Sequence, residues 1–225
     1  MTATSQPLRR TTQLHPRVSQ ALLGGLASLA LLYWFPLRRW FRRWGTTPDE
    51  RTRTMPGDDV ITHPTHTAMQ AVTVEAPPDD IWPWLVQMGD QRGGLYSYDW
   101  LDRLFGFLGH PSANRVLPEF QHLAVGDTIS LGPRQELIVT AIDPARALVL
   151  SSNQHGMEWV WQFGLYPLDA TRTRLVTRGT ERIANTVGAR VFMLMVEPAA
   201  FIMTRQMLLG VKRRAETLRR SRTSH

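Results

Sequence analysis

The sequence predicts an α+β domain in which one long C-terminal helix covers an antiparallel sheet. Three observations predict it. Strand-like runs at 127–131, 136–142, 147–151, 157–165 and 173–180 follow one another with short turns between them, the spacing of an antiparallel meander. A further strand and a helix precede them. After them, Phe201, Ile202, Leu208, Val211, Ala215 and Leu218 recur close to a 3.6-residue period, as on a helix with one apolar face. A sheet with one apolar face must cover it, and a long helix lying across it does so.

The elements follow in order. Residues 18–37 hold no charged side chain. A helix of about 20 residues spans roughly 30 Å, the thickness of a bilayer's hydrocarbon core. Tyr33, Trp34, Phe35, Trp40, Phe41 and Trp44 follow, interleaved with arginines, a combination suited to lipid headgroups. Bulky aromatics stand where a small-residue cleavage site would be needed, against a removed signal peptide. Gly24, Gly25 and Ser28 dilute the apolarity and leave a buried core helix open, but the preferred expectation is that residues 1–44 form a basic N-terminus with a single membrane anchor. Basic residues flank both ends of the segment; the denser arginines from Arg38 to Arg43 lie on the domain side, which favours a cytoplasmic domain.

Residues 45–66 are rich in Thr, Pro, Asp and Arg without an apolar period and read as a linker or an arm lying on the domain. The main domain is expected at 67–220, with 221–225 as a disordered tail. Its first strand is 67–75. Proline and acidic residues then open a helix at Pro77, Pro78, Asp79 and Asp80, followed by Ile81, Trp82, Trp84, Leu85 and Met88. A turn-rich break at 89–94 leads to a short helix near 98–105 and an irregular loop at 110–124. Pro198 fits the first turn of the closing helix, and Arg213, Arg214, Arg219 and Arg220 enrich its last turns, where positive charge favours the helix dipole.

Composition narrows the chemistry. The chain has no cysteine, so disulfides, thiolate metal sites and thiol nucleophiles are excluded. Net charge is +7 and pI about 10.8. The basic residues gather at the two ends: Arg9 to Arg43, and Lys212 to Arg222. Beside an apolar stretch, such ends suit a membrane surface better than nucleic acid. His63 and His66 lack partners at metal-ligand spacing. No nucleotide loop, H-E-x-x-H or G-x-S-x-G motif is present, and no cofactor is expected.

Residues 69–89, with Gln-Ala-Val-Thr-Val-Glu-Ala-Pro-Pro-Asp-Asp-Ile-Trp-Pro-Trp-Leu-Val-Gln-Met-Gly, resemble the opening strand and helix of the SRPBCC superfamily, which includes START-like lipid-transfer domains and polyketide cyclase/dehydrase-like proteins. Gly93-Gly94-Leu95-Tyr96-Ser97-Tyr98-Asp99-Trp100, Leu117-Pro118-Glu119-Phe120 with Val125-Gly126-Asp127, and Glu197-Pro198-Ala199 through Arg214 resemble segments of its bacterial members. The resemblance covers about 67–216. It implies a helix-grip fold, with a cavity between sheet and C-terminal helix as the ligand site. Such folds host binders and enzymes alike, and an apolar anchor is not a general feature of the superfamily.

Candidate site residues divide into groups. Tyr96, Tyr98, Asp99 and Trp100 beside a Gly-Gly turn read either as a pocket rim or as a helix start in which Asp99 accepts backbone N–H groups while the rings pack. Trp159, Trp161 and Phe163 share one face of a strand and form core or pocket wall. Glu197, before Pro198, caps the helix or faces the cavity as a buried acid, with Phe201 a turn later. Met193, Met195, Met203 and Met207 fill gaps or line a lipid pocket. Arg115 and Glu119 complete the polar candidates. Three functions stay open: a membrane-tethered carrier of a hydrophobic small molecule or lipid, a cyclase- or dehydrase-like enzyme using a polar pair in the same cavity, and a membrane-surface protein whose cavity is closed.

Overall fold

The computed structural model describes residues 20, 24–25, 28–32, 36–133, 135–154 and 156–223. The chain divides into two units, Met1–Arg39 and Trp40–His225. In the first, the described residues from 20 to 32 are helical and exposed. Much of the expected anchor at 18–37 lies outside the described residues. Among those described, the helix long and apolar enough to cross a membrane is instead the closing one, Val187–Thr223.

The second unit carries the sheet. Strands β1 (His66–Val74), β2 (Thr128–Ser130), β3 (Glu136–Asp143), β4 (Ala147–Gln154), β5 (Met157–Pro167) and β6 (Thr173–Arg182) fall within a few residues of the alternating runs read from sequence. They form one sheet in the order β1-β6-β5-β4-β3-β2 with antiparallel pairing throughout. Helices α1 (Pro48–Thr52), α2 (Pro78–Val86) and α3 (Asp99–Leu104) are short, and α4 (Val187–Thr223) has 37 residues.

Helix α4 begins eleven residues before Pro198, earlier than the proline suggests. Thr186 explains the early start: its Oγ1 accepts the Ala189 N–H at 3.2 Å, as a helix-capping threonine does. Its second half lies on the concave face, with Met207, Leu208, Val211 and Ala215 buried in the main core. There they join Val74, Ile81, Trp84, Leu148, Leu150, Phe163 and Leu175. Basic side chains fasten its end: Lys212 Nζ donates to Thr73 O at 2.6 Å, Arg219 Nη1 to Thr171 O at 2.6 Å, and Arg222 to the Asp80 carboxylate.

Residues 45–66 form an arm across the opposite face. Met55 packs with Met69, Ala71 and Val176, and Ile61 with Val149 and Val160. Two ion pairs strap it down: Arg174 Nε to Glu50 at 2.6 Å, and Arg178 Nη1 to Asp58 at 2.5 Å. A capping box joins Thr47 and Glu50 at the start of α1. The free edge of β1 is also covered, since Arg42 O and Trp44 O accept the N–H groups of Met69 and Ala71 at 2.8 and 3.1 Å. An unpaired edge invites association with other chains, and this backbone contact removes it. Gly45 (φ +74°) permits the approach, for a Cβ there would stand 2.1 Å from Ala71 O. Both faces of the sheet are therefore covered, one by α4 and one by the arm.

Candidate ligand site

Alternation along each strand fixes what the concave face presents. Strand register aligns His66 with Glu181, Glu181 with Trp159, and Trp159 with Ser152. These four form a polar row at one end of the face. The next row is Ala68, Gly179, Trp161 and Leu150, and the third contains Gln70, Thr177, Phe163 and Leu148. The charged groups are confined to the first row, the second is apolar, and the third sets Gln70 and Thr177 beside Phe163 and Leu148.

The aromatic residues read from sequence form a ladder on β5. Trp159 and Trp161 stack with centroids 5.4 Å apart, and Trp161 and Phe163 are tilted at 4.8 Å. Beside the ladder stand the two smallest side chains of the second row, Ala68 and Gly179, both partly exposed. A Cβ on Gly179 would meet a single heavy atom within 4 Å, Trp159 Nε1 at 3.7 Å. This is room on the concave face at a position where a sheet facing a helix would ordinarily place a packed side chain.

Helix α4 brings Glu197 over the polar row. Its residue is 5% exposed, and Oε1 lies 4.0 Å from His66 Nε2 and 3.9 Å from Arg42 Nε. Arg42 also donates Nε and Nη2 to Thr67 O at 2.9 and 2.7 Å, which holds its guanidinium in place. Burial raises the Glu181 carboxyl to about 7; the nearby Glu197 adds to the rise and Arg42 opposes it. Glu181 Oε2 has no hydrogen-bond partner among the described residues. A carboxyl raised toward neutrality can donate a hydrogen bond when protonated and accept one when ionised.

Phe201, one turn beyond Glu197, is buried against residues 40–44. It stacks on Phe41 at 4.4 Å and meets Trp40 at 5.1 Å and Trp44 at 6.5 Å. Its ring contacts are with residues 40–44. Met207 is in the core and Met195 is 76% exposed; the methionines of α4 do not share one surface.

The group around Tyr96 forms a separate cluster. Tyr96 is buried in the left-handed region (φ 58°). Its ring stands edge-on to Trp84 at 6.0 Å and under the Arg214 guanidinium at 4.7 Å. Burial pushes its hydroxyl well above the ordinary phenol range. Asp99 does accept a backbone N–H, but across the loop rather than from its own helix. Its Oδ1 takes the Ser112 N–H at 3.2 Å and the Ser112 O–H at 2.7 Å, while Ser112 Oγ accepts the Tyr96 N–H at 3.0 Å. This relay pins the loop to the core. Tyr98 and Trp100 are exposed, at 37% and 62%, and Arg115 and Glu119 are exposed as well. Their exposure sets these four apart from the aromatic ladder.

Sequence reasoning missed Glu181, His66 and Arg42 as members of one site. Glu181 ends a strand among charged neighbours, and nothing local distinguishes it from a solvated residue; only the β1–β6 register reveals its surroundings. His66 opens β1 rather than belonging to the preceding arm. Among the described residues no group of three His, Asp or Glu side chains is placed to hold a metal ion.

No protein-family model matches the chain, and no curated protein matches it. Solved structures do. A protein of Mesorhizobium loti is 18% identical over 68% of this chain and 98% of its own, with TM-score 0.40. The Zhui aromatase/cyclase of a Streptomyces species is 17% identical over 67% and 93%, with TM-score 0.38. A conserved protein of Geobacillus kaustophilus is 12% identical over 68% and 96%, with TM-score 0.41. Likeness at this level carries nothing about a reaction. On its own strand order and closing helix, a six-stranded antiparallel sheet with one long C-terminal helix, the chain has a helix-grip layout.

Proposed function

We propose that the chain binds a small, largely apolar molecule bearing one polar end, held between the concave face and α4. The observation that carries this reading is the gap above Gly179, flanked by the Trp159–Trp161 ladder and closed at one end by Glu181, His66 and Glu197. An apolar body stacks on the indoles, and a hydroxyl or carbonyl at its end exchanges hydrogen bonds with Glu181. Pockets of this kind take affinity from apolar area and orientation from a few polar groups. In this reading the segment 18–37 tethers the domain to a membrane that supplies the molecule, on the cytoplasmic side.

The test is organic extraction of the purified full-length chain followed by mass spectrometry, in parallel with Gly179→Leu. A lipid-like mass carried by the wild type and lost from the variant supports the reading. The same masses in both, or none in either after incubation with membrane extract, overturn it.

A second reading, proton transfer on the bound molecule as in a cyclase or dehydrase reaction, is favoured by one observation. Glu181 lies beside Glu197 and His66 with a carboxyl that titrates near neutrality, the property a general acid or base requires. Conversion of the extracted molecule by the wild type, with binding kept and conversion lost in Glu181→Gln, distinguishes enzyme from carrier.

A further inference from the structure

The structure assigns a membrane-surface contact to the first three turns of α4, apart from the N-terminal anchor and resting on neither the tether nor the ligand reading. Residues 187–196 precede Glu197, the position at which α4 meets the start of β1. Ten residues of helix are about 15 Å long. Val187 is 79% exposed, Phe192 62% and Met195 76%, and Val191, Val196 and Ile202 are exposed as well. At 3.6 residues per turn these side chains fall on one half of the helix. Glu197, Phe201 and Leu208 fall on the other half, which faces the domain. The outer half is therefore apolar without a core to cover it, and a contiguous apolar patch of this kind marks an interaction site.

The occupant is argued from charge and from the neighbouring aromatic residue. No carboxylate occurs in the sequence between Glu181 and Glu197, and Arg190 stands among the exposed apolar residues, while Arg182 is paired with Glu158. Trp40, half exposed, leans on Phe201 next to this face, and Arg43, three residues after Trp40, is exposed. Apolar side chains that enter the acyl region, a tryptophan at headgroup depth and the exposed arginines Arg43 and Arg190 together fit an anionic lipid surface. Lipid contact at this end would place the polar row of the ligand site next to the bilayer.

The absence of cysteine makes the test direct. Met195→Cys in the full-length chain carries a single environment-sensitive fluorophore, and Ala170→Cys, at an exposed turn on β5–β6, serves as control. Vesicles of phosphatidylcholine with phosphatidylglycerol are added, with and without nitroxide-labelled acyl chains, and sedimentation reports total binding. The expected result is a blue shift and nitroxide quenching at position 195, no change at position 170, and loss of the shift when Val191 and Phe192 are replaced by Gln. Chain that sediments with vesicles while position 195 stays unquenched overturns the inference and leaves the tether standing. Chain that does not sediment overturns both. A shift without vesicles that grows with protein concentration shows a second copy as the occupant, and one independent of concentration shows another segment of the same chain; either overturns the inference.

Discussion

Glu181 and His66 are Cα partners across the β1–β6 ladder, so their side chains leave the sheet side by side on the concave face. Helix α4 then sets Glu197 within 4.0 Å of the same histidine. Two carboxyls from distant parts of the chain thus share a histidine and an arginine in a half-closed place. Burial keeps the Glu181 carboxyl protonated to a higher pH than usual, and the neighbouring Glu197 adds to that rise. The folded protein therefore binds a proton that the unfolded chain releases.

This gives a stability prediction with a definite sign. The Glu181 carboxyl rises from an ordinary value near 4.5 to about 7 in the fold. Between these values the folded state binds more protons, so stability falls as pH rises from about 4.5 through 7. Glu181→Gln removes the titration. The variant should match the wild type near pH 4.5 and exceed it at pH 8, by on the order of 2 kcal/mol after allowing for partial exposure. Urea denaturation at the two pH values measures it. Parallel pH dependence in both proteins would assign the proton to another group.

Gly179 separates fold from function. The space above it accepts a side chain without backbone contact, and a strand interior gains nothing from glycine. Gly179→Leu should leave stability within about 1 kcal/mol of wild type. It should also displace any molecule stacked on Trp161, weakening binding by at least about tenfold, or roughly 1.4 kcal/mol. Tryptophan fluorescence titration with the extracted ligand reads the second effect, and thermal unfolding reads the first. A variant that binds normally would place the ligand elsewhere.

The strands were legible because their apolar residues alternate, and the ladder of Trp159, Trp161 and Phe163 follows from the same period. Features set by long-range pairing were not. Glu50 meets Arg174 across 124 residues of sequence, and no local pattern in a Thr- and Pro-rich segment announces that its acids neutralise arginines on a strand. Read as alternation, Arg174 and Arg178 are solvent-facing; they are half-buried and buried because the arm covers them. The early start of α4 was concealed by Pro198, although Thr186 carries the capping signal. Asp99 does not cap its own helix as its position suggests; its partner is Ser112, chosen by a loop whose path the sequence does not encode locally.

The arm supplies the third prediction. Asp58 accepts from the Met55 N–H, Gln162 Nε2 and Arg178 Nη1 at 2.8, 2.8 and 2.5 Å. Burial alone would raise its carboxyl, but Arg178 and these N–H donors hold it below the usual carboxylate range. Asp58→Ala strands a buried guanidinium, at a cost of about 3 kcal/mol. Asp58→Asn, which keeps an acceptor, should cost less. Because the folded carboxyl is depressed, this stabilisation is present at neutral pH and is lost as pH falls through the acid range. Limited trypsin digestion should cut Asp58→Ala first at Arg51 or Arg53. An unchanged cleavage pattern would mean that Met55 and Ile61 hold the arm without the ion pair.

Two glycines of α4 should respond oppositely to alanine. A Cβ at Gly210 would stand 2.1 Å from Tyr96 O and 2.8 Å from Tyr96 Cβ. The obstacle is backbone, and Tyr96 is held by the Ser112–Asp99 relay, so the helix must back away from the core. Alanine offers about 1 kcal/mol of helix propensity, but overpacking a core costs about 1–3 kcal/mol or more. Here the clash wins, and Gly210→Ala should lose about 2 kcal/mol, or roughly 4–8 °C in Tm for a domain of this size. At Gly188 nothing lies within 4 Å, so only the propensity remains. Gly188→Ala should raise Tm by a degree or two. Thermal unfolding of both variants followed by circular dichroism tests the contrast, and equal shifts of the same sign would show that α4 does not seat against Tyr96 as its glycine requires.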